Sequence, residues 1–341
     1  MLLIMKIFPA GKRMKLFCLF LGFYLLAPVV KAQMTAGLTG KPDTSFTNYS
    51  AFKSAKKKYP QIRLVEEQPS ADVKEERNIV YFRTGGIELR LDAFYPAGGR
   101  KAGGIPAVLI IHGGGWRSGN RSQHIPLAQR LAATGVACFT ADYRLSTVAR
   151  YPAAVYDLKE AVRWIRKNSR KYHINPEKIA ALGFSAGGEL AAFLGVTNAD
   201  KRFENPDGNK KVPAGVNAVV DIDGTLSFVH PESGEGDDTK SISAATYWFG
   251  YKKAEKPELW KDASPLTHAG KPSPPFLFIN SSVDRMHAGR DDFRKILQSF
   301  NVYSEVQSFP DSPHTFCLFE PWFDPTLNYI SSFLDKVFGM K

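Results

Sequence analysis

The stretch KIAALGFSAGG, residues 178–188, runs from an apolar segment straight into a serine set among glycine, alanine and glycine. Residues 178–184 read as a buried strand, and ELAAFLGVTN (189–198) reads as the helix that follows. Gly183-Phe184-Ser185-Ala186-Gly187 therefore has G-x-S-x-G spacing at a strand-to-helix turn. A turn this sharp lifts one hydroxyl above a sheet, and residues almost without side chains relieve the crowding it creates. The helix N-terminus adds a favourable potential for developing negative charge. Ser185 is thus the candidate nucleophile.

The same rhythm repeats on both sides. Segments 78–83 and 88–95 alternate and are joined by Thr84-Gly85-Gly86, which predicts a hairpin. Strand-like runs follow at 106–112, 136–144, 216–224, 276–282 and 304–310, and helical spacing appears at 124–135, 151–173, 291–301 and 325–338. Continuous apolar strands alternating with helices predict a mostly parallel sheet covered on both faces, an α/β architecture. Residues 225–275 break the rhythm with Gly, Pro, Ser and aromatic residues and are expected to form an insertion over the sheet's C-terminal edge. Residues 33–77 are polar and weakly periodic, an arm preceding a catalytic domain at 78–341.

The first 32 residues have the basic, apolar and small-residue order of a cleavable secretory signal, with cleavage expected after Ala32. The apolar run is short for a membrane span and is interrupted by Pro28, so no stable membrane insertion is expected after cleavage and the location is secreted or periplasmic. Loss of Lys6, Lys12, Arg13, Lys15 and Lys31 lowers the formal charge of the 341-residue chain from +12 to +7. A basic exported protein favours anionic partners. Cys138 and Cys317, the cysteines left after cleavage, are expected to be buried thiols rather than a bridge.

A serine needs a base to take its proton and donors to receive the charge formed on the attacked carbonyl. His112-Gly113-Gly114-Gly115-Trp116 ends the 106–112 strand, and its bare backbone makes the amides of Gly114 and Gly115, with that of Ala186, the expected oxyanion donors. His112 is then a loop-shaping residue. His314, in FPDSPHTF (309–316), follows the last predicted strand and is the candidate base, with His287 its rival. Asp284, just past the 276–282 strand, is the expected acid; Asp291 stands in reserve, with Asp292 beside it, and Asp221 and Asp223 flank the end of an earlier strand.

HGGGW, GFSAGG, a late aspartate and the final PHTF resemble the α/β-hydrolase superfamily over residues 78–340. HGGGWRSGNRSQHIPLAQRLA, DYRLS, SSVDRMHAGRDDF and FPDSPHTFCLFEPWF are similar to secreted bacterial carbohydrate esterases of the pectin methylesterase, acetyl xylan esterase and feruloyl esterase branch. The resemblance implies a metal-independent acyl-enzyme route with no cofactor.

Arg117, Arg121, Arg144, Arg285 and Arg290 lie on predicted loops at the C-terminal edge of the sheet, where ligands bind in this architecture. Their planar forks suit carboxylates. Arg117, Arg285 and Arg290, with Trp116, are the expected substrate contacts, and Trp248, Trp260 and Trp322 are further candidates for stacking on sugars. The expected partner is an acidic or acylated plant polysaccharide rather than nucleic acid, and the expected reaction is removal of methyl esters from galacturonate in pectin, with acetyl removal from xylan or pectin as the alternative. A serine peptidase is disfavoured by the glycine-rich oxyanion loop, and a non-catalytic carbohydrate-binding protein by the presence of all three triad residue types in order.

Overall fold

The computed structural model describes residues 32–98, 103–208 and 210–340. Residues 1–31 of the expected leader lie outside the described residues. In chain order the main elements are α1 (Asn48–Ala55), β1 (Arg63–Leu64), β2 (Val73–Thr84), β3 (Ile87–Pro96), β4 (Ile105–Ile111), α2 (Ile125–Ala133) and β5 (Ala137–Ala141). Then come α3 (Ala153–Lys167), β6 (Ile174–Phe184), α4 (Ala186–Val196), β7 (Ala218–Ile222), α5 (Ala244–Phe249), α6 (Pro257–Asp262) and α7 (Pro265–His268). The chain closes with β8 (Phe276–Asn280), α8 (Arg290–Ser299), β9 (Ser304–Ser308), β10 (Phe319–Glu320) and α9 (Phe323–Phe338).

Eight strands form one sheet in the order β2-β3-β5-β4-β6-β7-β8-β9. The β2–β3 and β3–β5 pairings are antiparallel, and every pairing from β5 to β9 is parallel. This is the mostly parallel α/β sheet predicted from the strand and helix rhythm. Side chains in β4 alternate between two cores, as the two-residue period of a strand requires. Val108 and Ile110 join Leu127 and Leu131 of α2 and Phe333 and Leu334 of α9 on one face. Leu109 and Ile111 join Leu158 and Val162 of α3 and Leu190 and Phe193 of α4 on the other. Because both faces are covered, β4, β7 and β8 are buried throughout, which explains their unbroken apolar runs.

The arm is more structured than its composition suggests. Thr47 and Ser50 form a reciprocal capping box that starts α1, and β1 pairs with β10 near the far end of the chain. The first hairpin strand begins at Val73, inside the segment assigned to the arm, because Val73 pairs with Pro96 and extends the β2–β3 ladder. The 225–275 insertion carries α5, α6 and α7 and is packed into the protein: Phe228, Trp248, Phe249 and Trp260 are all buried in the core beside α3 and α4.

A strap at residues 33–43 is tied to this insertion. Arg150 donates to the carbonyls of Met34 at 2.9 Å and Ala36 at 2.7 Å, and also to that of Tyr247. The amides of Thr39 and Gly40 both donate to Thr147 O at 3.0 Å. Replacing Arg150 by Met should therefore lower the stability of the folded chain by about 2 kcal/mol, the usual scale for losing hydrogen bonds to a charged donor. Urea denaturation measures the loss, and an unchanged midpoint would show that the strap is held by other contacts.

Candidate active site

The glycines around Ser185 are required by backbone meeting backbone. A Cβ on Gly183 would strike Gly187 O, and one on Gly187 would strike Ile111 O. Only a side chain of hydrogen at these two positions lets β6, α4 and β4 approach so closely. Ser185 itself is held at φ 56° and ψ −122°, a region that L-residues other than glycine rarely occupy. Its amide donates to Ile222 O at 2.8 Å, pinning the turn to the end of β7.

His314 reaches back to this turn as expected. Its Nε2 lies 2.9 Å from Ser185 Oγ, and its Nδ1 lies 2.9 Å from a carboxylate oxygen. That carboxylate belongs to Asp223 and not to Asp284. Asp223 follows β7, is fully buried, and is oriented by the Ser281 amide at 2.8 Å and Asn280 Nδ2 at 3.5 Å. With the carboxylate accepting the Nδ1 proton, Nε2 is left to accept from the serine hydroxyl.

The assignment of Asp284 as the acid is thus corrected. Its side chain is 98% exposed, and its ion-pair neighbour is His287 at 3.9 Å. Asp291 is no substitute, because it accepts from its neighbour Arg290 at 2.9 Å. The chain turns outward after β8, whereas Asp223, at φ 52°, turns its carboxylate in beneath the imidazole. The acid therefore comes from one strand earlier than expected. An Asp-x-Asp-Gly at a buried strand end was the available signal.

The glycine loop runs beside the nucleophile: a Cβ on Gly113 would sit 2.8 Å from Phe184 O and 3.1 Å from Ser185 Cβ. Gly114 at φ 125° and Gly115 at φ 60° adopt conformations that free their amides from the ladder. Among the described residues, the amides of Gly114, Gly115 and Ala186 donate to no protein acceptor, which leaves them available for an oxyanion. His112 shapes this loop, its Nδ1 lying 2.9 Å from Gly113 O and its ring stacked on Tyr143 at 4.4 Å. Burial lowers its pKa, as it lowers that of His287. His124, wholly buried, is pushed down to about 3 and cannot serve as a base near neutral pH.

The expected substrate contacts fare differently. Trp116 is buried, stacked on Trp248 at 4.8 Å with the planes 5° apart, and cannot offer a face to a sugar. Trp260 is also core, and Trp322 packs edge-on against Tyr59. Arg117 is held by Asp43 at 3.0 Å and lies over the Tyr247 ring. Arg290 donates to Asn280 Oδ1 at 2.8 Å and to Asp291. Arg121 bonds Asp92 and Asp142, and Arg144 grips Asp157. Arg285 is exposed on the turn after β8 and, among the described residues, has no ion-pair partner. Arg117 and Arg290, two of the three arginines expected as substrate contacts, are thus engaged within the protein, as are Arg121 and Arg144. Cys138 and Cys317 are both free and buried, in line with the sequence reading. Among the described residues no group of three or more His, Cys, Asp or Glu is gathered in a way that could hold a metal ion.

Comparison with known proteins identifies the family. Residues 91–289 match the BD-FAE family. The chain is 30% identical over 243 residues to Esterase LipC of Mycobacterium tuberculosis, a match covering 68% of this chain and 58% of LipC. It spans about half the length of the two similar curated relatives that follow, 50% and 47%. Among solved structures, a truncated carbohydrate esterase from gut microbiota superposes with a TM-score of 0.65 at 24% identity, covering 77% of this chain and 98% of that one. Esterase 2 of Thermogutta terrifontis, phosphoramylated by tabun, gives 0.63 at 24% identity, over 79% and 96% of the two chains. At that level of identity the superpositions establish the α/β-hydrolase fold.

Exchanging the two aspartates separates the competing acids. Asp223→Asn should reduce turnover of a chromogenic ester by about 10³- to 10⁴-fold, as loss of the orienting carboxylate does in such triads. Asp284→Asn should stay within about twofold of the parent, because its carboxylate faces solvent. Steady-state rates of the two variants decide, and the reverse ranking would return the role to Asp284.

Proposed function

The chain belongs to the BD-FAE family, and from that premise we propose that it is a serine carboxylic-ester hydrolase acting on esterified plant cell-wall polysaccharide. The observation that carries the reading is the hydrogen-bonded series Ser185–His314–Asp223 beside three amides without acceptors. His314 takes the Ser185 proton as Oγ attacks the ester carbonyl, and Asp223 stabilises the imidazolium that forms. The charge on the carbonyl oxygen falls to the amides of Gly114, Gly115 and Ala186. When the tetrahedral intermediate collapses, the alcohol leaves with the proton from His314. Water then gives up a proton to His314 and attacks the acyl-serine, and His314 returns that proton to Ser185 Oγ as the acid is released.

Names among the similar proteins support an ester substrate, and a carbohydrate esterase is one of the structural neighbours. For the ester itself, the internal pairing of Arg117, Arg121, Arg144 and Arg290 takes away most of the case for an acidic chain. Acetyl groups on a neutral or weakly charged glycan are therefore the first choice. Methyl-esterified galacturonan is the second reading, favoured by exposed Arg285. The exported location expected from residues 1–32 suits either substrate.

Incubation with acetylated xylan and with highly methylated pectin, measuring acetate and methanol separately, distinguishes the two. Acetate release is the expected result; methanol without acetate would reverse the order of the readings. In the methylesterase case, Arg285→Ala should raise KM for pectin by about three- to tenfold, the scale of one charge-assisted contact. Ser185→Ala should abolish release of either product and prevent labelling by a fluorophosphonate probe. Ester turnover persisting in that variant would remove the mechanism.

A further inference from the structure

Gly114, Gly115 and Trp116 are three successive residues with positive φ, at 125°, 60° and 56°. Glycine adopts such angles freely, but a tryptophan does so only when its surroundings compel it, at a cost on the order of 1–3 kcal/mol. The indole is wedged against Trp248 and Phe228, with centroid distances of 4.8 and 5.4 Å. Stacking of this kind holds a ring in a plane but resists sliding within that plane weakly. One directional contact fixes the position of the indole: its Nε1–H donates to Glu189 Oε2 at 2.9 Å.

Glu189 lies on the helix that carries the nucleophile. Its amide donates to Ser185 O at 3.0 Å, so it stands one turn beyond the serine on α4, the element that also supplies the Ala186 amide. The Trp116–Glu189 bond therefore joins the two pieces of backbone from which the oxyanion donors come. The carboxyl is wholly buried, Oε1 has no partner, and the neighbouring Asp221 Oδ2 has none either. Burial first, and the nearby Asp221 charge as well, raises the Glu189 pKa well above the ordinary carboxylate range, while the indole opposes the shift. A buried carboxyl without a cation is costly to place in a core, and an apolar side chain there would pack without that cost.

We infer that Glu189 is a positioning residue: through its bond to Trp116 it holds the glycine loop where the Gly114 and Gly115 amides meet the oxyanion formed at Ser185. This rests on the acyl-enzyme reading above. Glu189 touches neither substrate nor the reacting atoms and acts through the loop alone.

The test compares Glu189→Gln, Glu189→Leu and Trp116→Phe in the otherwise intact protein, with p-nitrophenyl acetate as substrate and Ser185→Ala as the inactive control. Glu189→Gln keeps an oxygen that accepts from the indole and should stay within about twofold of the parent kcat. Glu189→Leu should lower kcat by about 10- to 100-fold, a fraction of the loss seen when an oxyanion donor is removed outright, with KM little changed. Trp116→Phe should do the same, and the double variant should be no worse than either single one, because both remove one bond. The Trp116 indole N–H, followed by NMR, should exchange slowly in the parent and in Glu189→Gln and rapidly in Glu189→Leu.

Parent-like kcat in folded Glu189→Leu and Trp116→Phe would overturn the inference, as would equal losses in the Gln and Leu variants or additive losses in the double variant. If Glu189→Leu fails to fold, Trp116→Phe, which leaves the carboxyl in place, decides alone. If the parent hydrolyses no ester, the functional reading falls by itself. Indole exchange in the parent then decides the tie: slow exchange supports it and rapid exchange overturns it.

Discussion

The site depends on backbone strain at Ser185. A residue at φ 56° and ψ −122° persists only where its surroundings over-determine it, and here they do so through contacts that leave no room for a side chain. Gly183 faces Gly187, Gly187 faces the β4 carbonyls, and Gly188 faces Asp221 and Gly224. The Ser185 amide is held by the end of β7. Strand β4, strand β6, strand β7 and helix α4 thus converge on one turn, and each also supports a group of the site. The loop after β4 presents the free glycine amides, β6 and α4 present the hydroxyl, and β7 ends in the carboxylate.

The position of the carboxylate follows from the same convergence. Asp223 stands just past β7, the strand whose last carbonyl receives the Ser185 amide, so the acid and the nucleophile are anchored to one strand end. The amide of Asp223 donates in turn to Ile279 O at 3.0 Å, and its carboxylate accepts from Ser281. Strand β8 therefore serves the site by orienting the acid instead of supplying it. A buried carboxylate with these amide donors is set to stabilise an imidazolium, whereas an exposed one would be screened by water.

How far this could be read from residues alone varies with the kind of information involved. All eight strands of the sheet and the flanking helices α2, α3, α4, α8 and α9 were legible: burial on two faces imposes continuous apolar runs on the inner strands, alternation and a glycine turn mark the β2–β3 hairpin, and the longer helices show period-3.6 stripes. Ser185, His314 and the glycine loop were legible because their neighbours are constrained locally. The acid was not: Asp223 and Asp284 both follow apolar strands, and the choice between them depends on which way the chain turns afterwards. The partners of the arginines were not legible for a related reason. Sequence places Arg117 and Arg144 on loops, but Asp43 and Asp157, which engage them, lie 74 and 13 residues away. Helix α1 and the short helices of the insertion lack the length over which a period shows.

The role of Trp116 was misread, and where the tryptophans lie changes how the site is understood. Aromatic residues in a segment rich in glycine and proline suggest exposed platforms, yet Trp248 and Trp260 are buried with Phe228 and Phe249, and Trp116 stacks on Trp248. The insertion is consequently part of the core that supports the glycine loop. Its Ala244 Cβ would stand only 3.0 Å from a Cβ on Gly115, and the strap at 33–43 fastens the same region through Arg117 and Arg150. Opening this segment as a lid would pull Trp248 from beneath Trp116 and expose several large aromatic side chains, each contributing roughly 1.5–3 kcal/mol when buried. That cost argues for a site whose oxyanion donors are set before substrate arrives and not by closure of the insertion.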